Sequence, residues 1–139
     1  MLLIDTSVWV EVLEDNSLDK RNKRNRIINQ RKYYLPVFSK MLLLQRCRSE
    51  AEWAKTSFIL GSLDYLKPQL ENIWENSARL YFELQSQGTI VSSNLNCAIA
   101  WMALENNYFL YHCHDDFEAI AKHLKINQKN IKQQLAEYY

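Results

Sequence analysis

The chain opens on an unbroken apolar run, Leu2-Leu3-Ile4, that stops at a carboxylate and two hydroxyls, Asp5-Thr6-Ser7. Such a run reads as a buried parallel strand, because strands covered on both faces carry continuous rather than alternating hydrophobicity. Its carboxyl end delivers Asp5. Val8, Trp9, Val12 and Leu13 follow at helical spacing, which predicts a helix over residues 7–14 with its apolar stripe under the sheet. Thr6 or Ser7 can cap that helix. Asp5 is open to two readings: a plain helix cap, or an acid for metal or phosphate at a strand end, where ligands of open α/β sheets collect.

Farther along, 35–38 predicts a short strand that Pro36 confines to an edge or a strand start. Residues 39–47 read as a helix. Ser49 is placed to cap the next one, with Glu52 completing a capping box, and that helix runs to about Leu60 and stops at Gly61. A strand is predicted over 63–66. Apolar residues at 70, 73, 74, 78, 81, 82 and 84 describe an amphipathic helix over 69–87, closed by Gly88 in the left-handed cap position. Ser92 or Ser93 starts a helix through Asn96, Ile99, Ala100, Ala103 and Leu104, and 108–111 is the strand after it. Residues 117–124 make another helix, 125–126 an edge strand, and 127–139 a polar helical end. Strands alternating with helices pair in parallel through right-handed crossovers. The sum is α/β: a single three-layer α/β/α domain over residues 1–139 around a mostly parallel sheet.

Composition adds little to that fold and something to the search for partners. With 139 residues, 47% hydrophobic and 24% charged, the chain can bury a real core, and two glycines with two prolines favour helices joined by short connections. A net charge of +1 points to no partner. Locally the balance differs: Lys20, Arg21, Lys23, Arg24, Arg26, Arg31 and Lys32 stand against the single acid Asp19. This is a candidate face for RNA phosphates or an acidic peptide, or else a solvated helix or arm. The first apolar run is too short for a membrane span and lacks a basic leader, so a cytoplasmic protein is expected. Three cysteines, Cys47, Cys97 and Cys113, are odd in number and lack metal-site spacing, which suits a reducing compartment.

Four stretches carry a family resemblance: Asp5-Thr6-Ser7-Val8-Trp9, Gln45-Arg46-Cys47-Arg48-Ser49-Glu50-Ala51-Glu52-Trp53, residues 88–100, and residues 112–120. In this order they resemble PIN domains, in particular the VapC-type toxins of bacterial toxin–antitoxin pairs, over nearly the whole chain. The resemblance implies a PIN-like fold and a metal-dependent endoribonuclease. In that family carboxylates from distant strand ends hold Mg²⁺ or Mn²⁺, which activates a water for phosphodiester hydrolysis. It also implies an antitoxin partner and a homodimer formed through helices, for which Tyr33, Tyr34, Trp53, Trp74, Tyr81, Phe82 and Trp101 are the helix-face or interface candidates.

Five positions of the family site carry over. Asp5 and Asp116 match family acids, whereas Leu42, Asn96 and His114 stand where the family has an acid. No register shift restores them, since no Asp or Glu lies between Asp19 and Glu50 or between Glu83 and Glu105; Asp115, beside His114, is the one local substitute. Leu42 cannot ligate, Asn96 offers a neutral oxygen and His114 a nitrogen that Mg²⁺ disfavours. Weak Mg²⁺ or Mn²⁺ binding follows. The expectation is an impaired or inactive ribonuclease that works through antitoxin, RNA or self-association. The alternative is an active enzyme using Asp5, Asn96, Asp116 and His114 or Asp115 around one softer ion. Zinc at His112-Cys113-His114 and a Cys–His hydrolase at Cys97 are weaker alternatives, for want of four ligands and of an oriented thiolate.

Overall fold

The Leu2–Ile4 run forms strand β1, all three of its side chains buried, in a computed structural model that describes residues 1–14, Asn22, Arg26 and residues 31–136. Burial on both faces follows from position, since β1 is the middle of five strands. The others are β2 (Tyr33–Pro36), β3 (Tyr65–Leu66), β4 (Phe109–His112) and β5 (Gln128–Asn130). They lie in the order β3-β2-β1-β4-β5, and every pairing is parallel.

Seven helices complete the described residues: α1 (Thr6–Leu13), α2 (Ser39–Leu44), α3 (Glu50–Gly61), α4 (Ile73–Ser86), α5 (Asn94–Asn106), α6 (Asp115–Ala121) and α7 (Lys132–Ala136). None is long and apolar enough to cross a membrane. Strand side chains alternate in direction, and two cores result. Leu2, Ile4 and Leu35 pack with Val8, Trp9 and Val12 of α1, Leu43 of α2, Leu60 of α3 and Leu135 of α7. Leu3 and Leu110 pack on the other face with Ile73, Leu80 and Leu84 of α4, Ile99 and Met102 of α5, and Phe117 and Ile120 of α6. From β1 the chain winds toward β3 with helices on one face, and from β4 toward β5 through the other. The β1/β4 boundary is therefore a topological switch point, where the connections diverge and leave a crevice at the carboxyl ends.

Several sequence-based boundaries move. β2 starts at Tyr33, so Tyr33 and Tyr34 are strand residues rather than helix-face ones. It is also an inner strand, yet it tolerates Pro36. Leu35 and Val37 donate toward β3, to Asp64 O and Leu66 O, so Pro36 lacks only a bond on the β1 side, where the pairing with Leu2 and Leu3 has already ended. The expected edge strand at 125–126 forms instead at Gln128–Asn130. That segment has no apolar alternation to read. Leu110 N donates to Asn127 O and Ile131 N to His112 O, and the flanking Ile126 and Ile131 enter the cores. The helix expected over 127–139 is thereby reduced to α7, residues beyond 136 lying outside the described ones. The helix expected over 69–87 starts at Ile73 and ends as predicted before Gly88, whose φ is 79°.

Candidate functional site

Asp5 sits where β1 ends and α1 begins, and both readings of it hold geometrically. As N-cap of α1, its Oδ2 accepts from Ser7 N at 3.0 Å and from the Ser7 hydroxyl. As a strand-end residue, its backbone N donates to Tyr111 O on β4 at 3.0 Å. Ser7 Oγ in turn accepts from Cys113 N at 2.9 Å, so one hydroxyl ties Asp5 to the end of β4. Asp5 is 3% exposed, and its Oδ1 is buried with no hydrogen-bond partner. Burial pushes its carboxyl above the ordinary range, against the opposing bonds from Ser7.

Asp116, also buried, lies one residue into α6, just past β4. Its surroundings are the reverse. Ser92 N approaches Oδ1 and Oδ2 at 3.1 and 3.0 Å, and Ser92 Oγ and Asn96 Nδ2 each reach Oδ2 at 2.8 Å. A carboxylate only accepts, so Ser92 spends its hydroxyl proton here and Asn96 turns its amide N–H inward. His114, the N-cap of α6, closes the group. Its Nδ1 accepts from Asp116 N at 3.0 Å, which puts the proton on Nε2, 3.2 Å from Ser92 Oγ. The 3.5 Å approach of His114 Nδ1 to Asp116 Oδ1 is then not an ion pair, because that nitrogen bears no proton. Burial alone would raise the Asp116 carboxyl, but the bonds from Asn96 and Ser92 outweigh it and hold it below the ordinary range.

The remaining sequence candidates fall around these two acids. Leu42, half-buried on α2, lies one turn after Ser39, whose Oγ is 2.7 Å from Thr6 Oγ1 next to Asp5. Residues three apart share a helix face, so the Leu42 face of α2 borders the Asp5 end of the crevice. Asp115 is exposed at the first position of α6. His112 is fully buried with both ring nitrogens engaged: Nε2 with Gln128 Oε1, and Nδ1 accepting from His114 N at 3.2 Å. Burial pushes the thiols of Cys97 and Cys113 up to about 11 and about 12, which leaves neither a ready nucleophile. Among the described residues no three His, Cys, Asp or Glu side chains are grouped to hold a metal.

Of the basic run, Lys20, Arg21, Lys23 and Arg24 lie outside the described residues. Lys32 O accepts from Leu2 N, which places Arg31 and Lys32 at the amino-terminal ends of the strands, opposite Asp5. Sequence reasoning missed Ser92 as a partner of Asp116 and read it only as a helix start. A hydrogen bond spanning 24 residues leaves no periodic signal. Ser7 as a bridge to β4 was hidden in the same way, since its hydroxyl was accounted for locally as a cap.

No family model matches the sequence, and no curated protein matches it. Solved structures do. A chain of VapBC2 from Rickettsia felis bound to a DNA fragment from their promoter superposes with a TM-score of 0.67 at 15% identity, over 94% of this chain and 98% of that one. For VapBC-1 from nontypeable Haemophilus influenzae the values are 0.68 and 15%, over 93% and 96%. VapBC-5 from Mycobacterium tuberculosis, a member of the VapBC family of toxin-antitoxin systems, gives 0.62 and 19%, over 91% and 94%. At such identities the likeness is one of fold, and it agrees with the five-stranded parallel sheet and the strand-end crevice described above: the chain has the PIN-like α/β/α fold of VapC-type proteins.

Proposed function

We propose that this chain is a VapC-like protein whose metal-dependent ribonuclease site is impaired, and that it acts in the cytoplasm through what it binds: an antitoxin, RNA or a second copy of itself. The observation that carries the proposal is the state of Asp116. A hard divalent cation needs several oxygen lone pairs directed at one point. Both Asp116 oxygens are instead turned to Ser92 and Asn96, whose N–H and O–H groups occupy the space a cation would take. His114 presents a proton rather than a lone pair from Nε2, and Leu42 presents nothing. A bound Mg²⁺ or Mn²⁺ would supply an activated water and neutralise phosphorane charge. These side chains neutralise one another. The antitoxin enters by analogy with the solved neighbours of the same fold.

The second reading, a working enzyme with one softer ion, has one observation in its favour. Asp5 Oδ1 is buried without a donor, the state of a ligand whose metal is absent. Calorimetric titration of the purified chain with Mg²⁺ and Mn²⁺ separates the two. We expect no saturable heat at millimolar metal, and tight binding to emerge in the Leu42→Glu, Asn96→Asp, His114→Asp variant, which restores an acid at each family position. Saturable binding of Mn²⁺ to the unmodified chain, abolished by Asp5→Asn, would establish the second reading instead.

A further inference from the structure

Helix α4 is apolar over more of its circumference than the core consumes. Ile73, Ser77, Leu80 and Leu84 face inward and are buried. On one side of that face run Glu75, Arg79 and Glu83, with Arg79 and His123 each 2.9 Å from Glu83. The other side carries Trp74, Ala78, Tyr81 and Phe82. Leu70, just before the helix, is also largely in solvent. A helix whose work ended at the core would be polar on both flanks.

We infer that this flank is the surface on which two copies of the chain pair. Trp74, Phe82 and Leu70 are 53%, 56% and 52% exposed. Large aromatic side chains bury about 150–250 Å² each, so with Ala78 and Tyr81 the stripe offers on the order of 400 Å² of apolar surface. That is close to the apolar share of the roughly 800 Å² that each partner buries in a standard interface. It is also as large as the patches that monomers leave exposed only for binding.

The pattern also chooses its partner. Trp74, Ala78 and Phe82 are spaced four apart, a small residue between two large rings. When two such helices cross antiparallel about a two-fold axis at Ala78, Trp74 meets the partner's Phe82, and the same contact repeats on the other side. The small side chain lets the axes approach to the usual 8–10 Å separation of packed helices. Arg79, over the Phe82 ring at 5.0 Å, falls at the rim. The pairing surface lies on α4, away from Asp5 and Asp116. It shares only the term self-association with the function proposed above, and a failure of either leaves the other standing.

Sedimentation of the full chain from about 1 to about 100 μM tests the inference. We expect a dimer, weakened at least about 30-fold by Ala78→Arg, a loss of hot-spot size. Folding should be unaffected, since position 78 is exposed and Arg is a good helix former. Trp74→Ala with Phe82→Ala should act in the same direction. Phe58→Asp, at an exposed aromatic on α3, should leave the dimer intact. Ala78→Cys should form an intermolecular disulfide on oxidation that the unmodified chain does not. A single-chain mass throughout, a dimer that survives Ala78→Arg, or dissociation by Phe58→Asp alone would each overturn the assignment.

Discussion

A carboxylate taken out of water needs donors for both oxygens, and the two acids of this crevice differ in having them. Asp116 has Ser92 N, Ser92 Oγ and Asn96 Nδ2, whereas Asp5 Oδ1 has none. Their effects on stability should therefore have opposite signs. The Asp5 carboxyl is raised in the folded state, so its favourable contribution is present near and below its unfolded value of 3.8 and lost as pH rises. At pH 7 it is a buried charge with one unmet oxygen. The Asp116 carboxyl is lowered, so its contribution is present above 3.8 and lost as pH falls through the folded value. In urea denaturation at pH 7, Asp5→Asn should raise stability by about 0.5–2 kcal/mol, as relief of an active-site strain does. Asp116→Asn should lower it by about 1–3 kcal/mol, since the amide leaves buried donors unmatched. Equal destabilisation by both would mean that Asp5 is only a helix cap.

The short elements around the crevice are held by polar side chains more than by apolar packing. β5 has no strand-like sequence, and the His112 to Gln128 bond fastens it to β4 beside the ladder hydrogen bonds. Burial lowers the His112 pKa below 6.5, so the folded state keeps it neutral while the unfolded state takes up a proton. Stability from this group is full above pH 6.5 and declines as pH falls from there toward the folded value. His112→Gln should flatten the difference between melting temperatures at pH 7 and pH 5; an unchanged difference would remove His112 from the account. Elements that announced themselves in the sequence were those with local causes. Ser49 accepts from Glu52 N and Glu52 accepts from Arg48 N, a cap readable within five residues, and Gly88 closes α4 with the positive φ expected of it. β5 and the Ser92 contact have distant causes and could not be read.

At the scale of the molecule, the layered fold was legible because β1 is hydrophobic on both faces and ends at Asp5, which already implies helices above and below and a crevice at its tip. The family words then named the positions of the site, and the chain brings Asp5, Asn96, His114 and Asp116 to the carboxyl ends of β1 and β4. What they could not convey was the internal wiring. Ser92, unremarked as a partner, lets Asn96, His114 and Asp116 satisfy one another without a cation, and this depends on rotamers and on the loop between α4 and α5. The account is tested most directly by RNA cleavage. The unmodified chain, incubated with a mixed-sequence RNA and either Mg²⁺ or Mn²⁺, should cleave no faster than its Asp5→Asn variant. Cleavage that requires either metal and disappears in Asp5→Asn would contradict it.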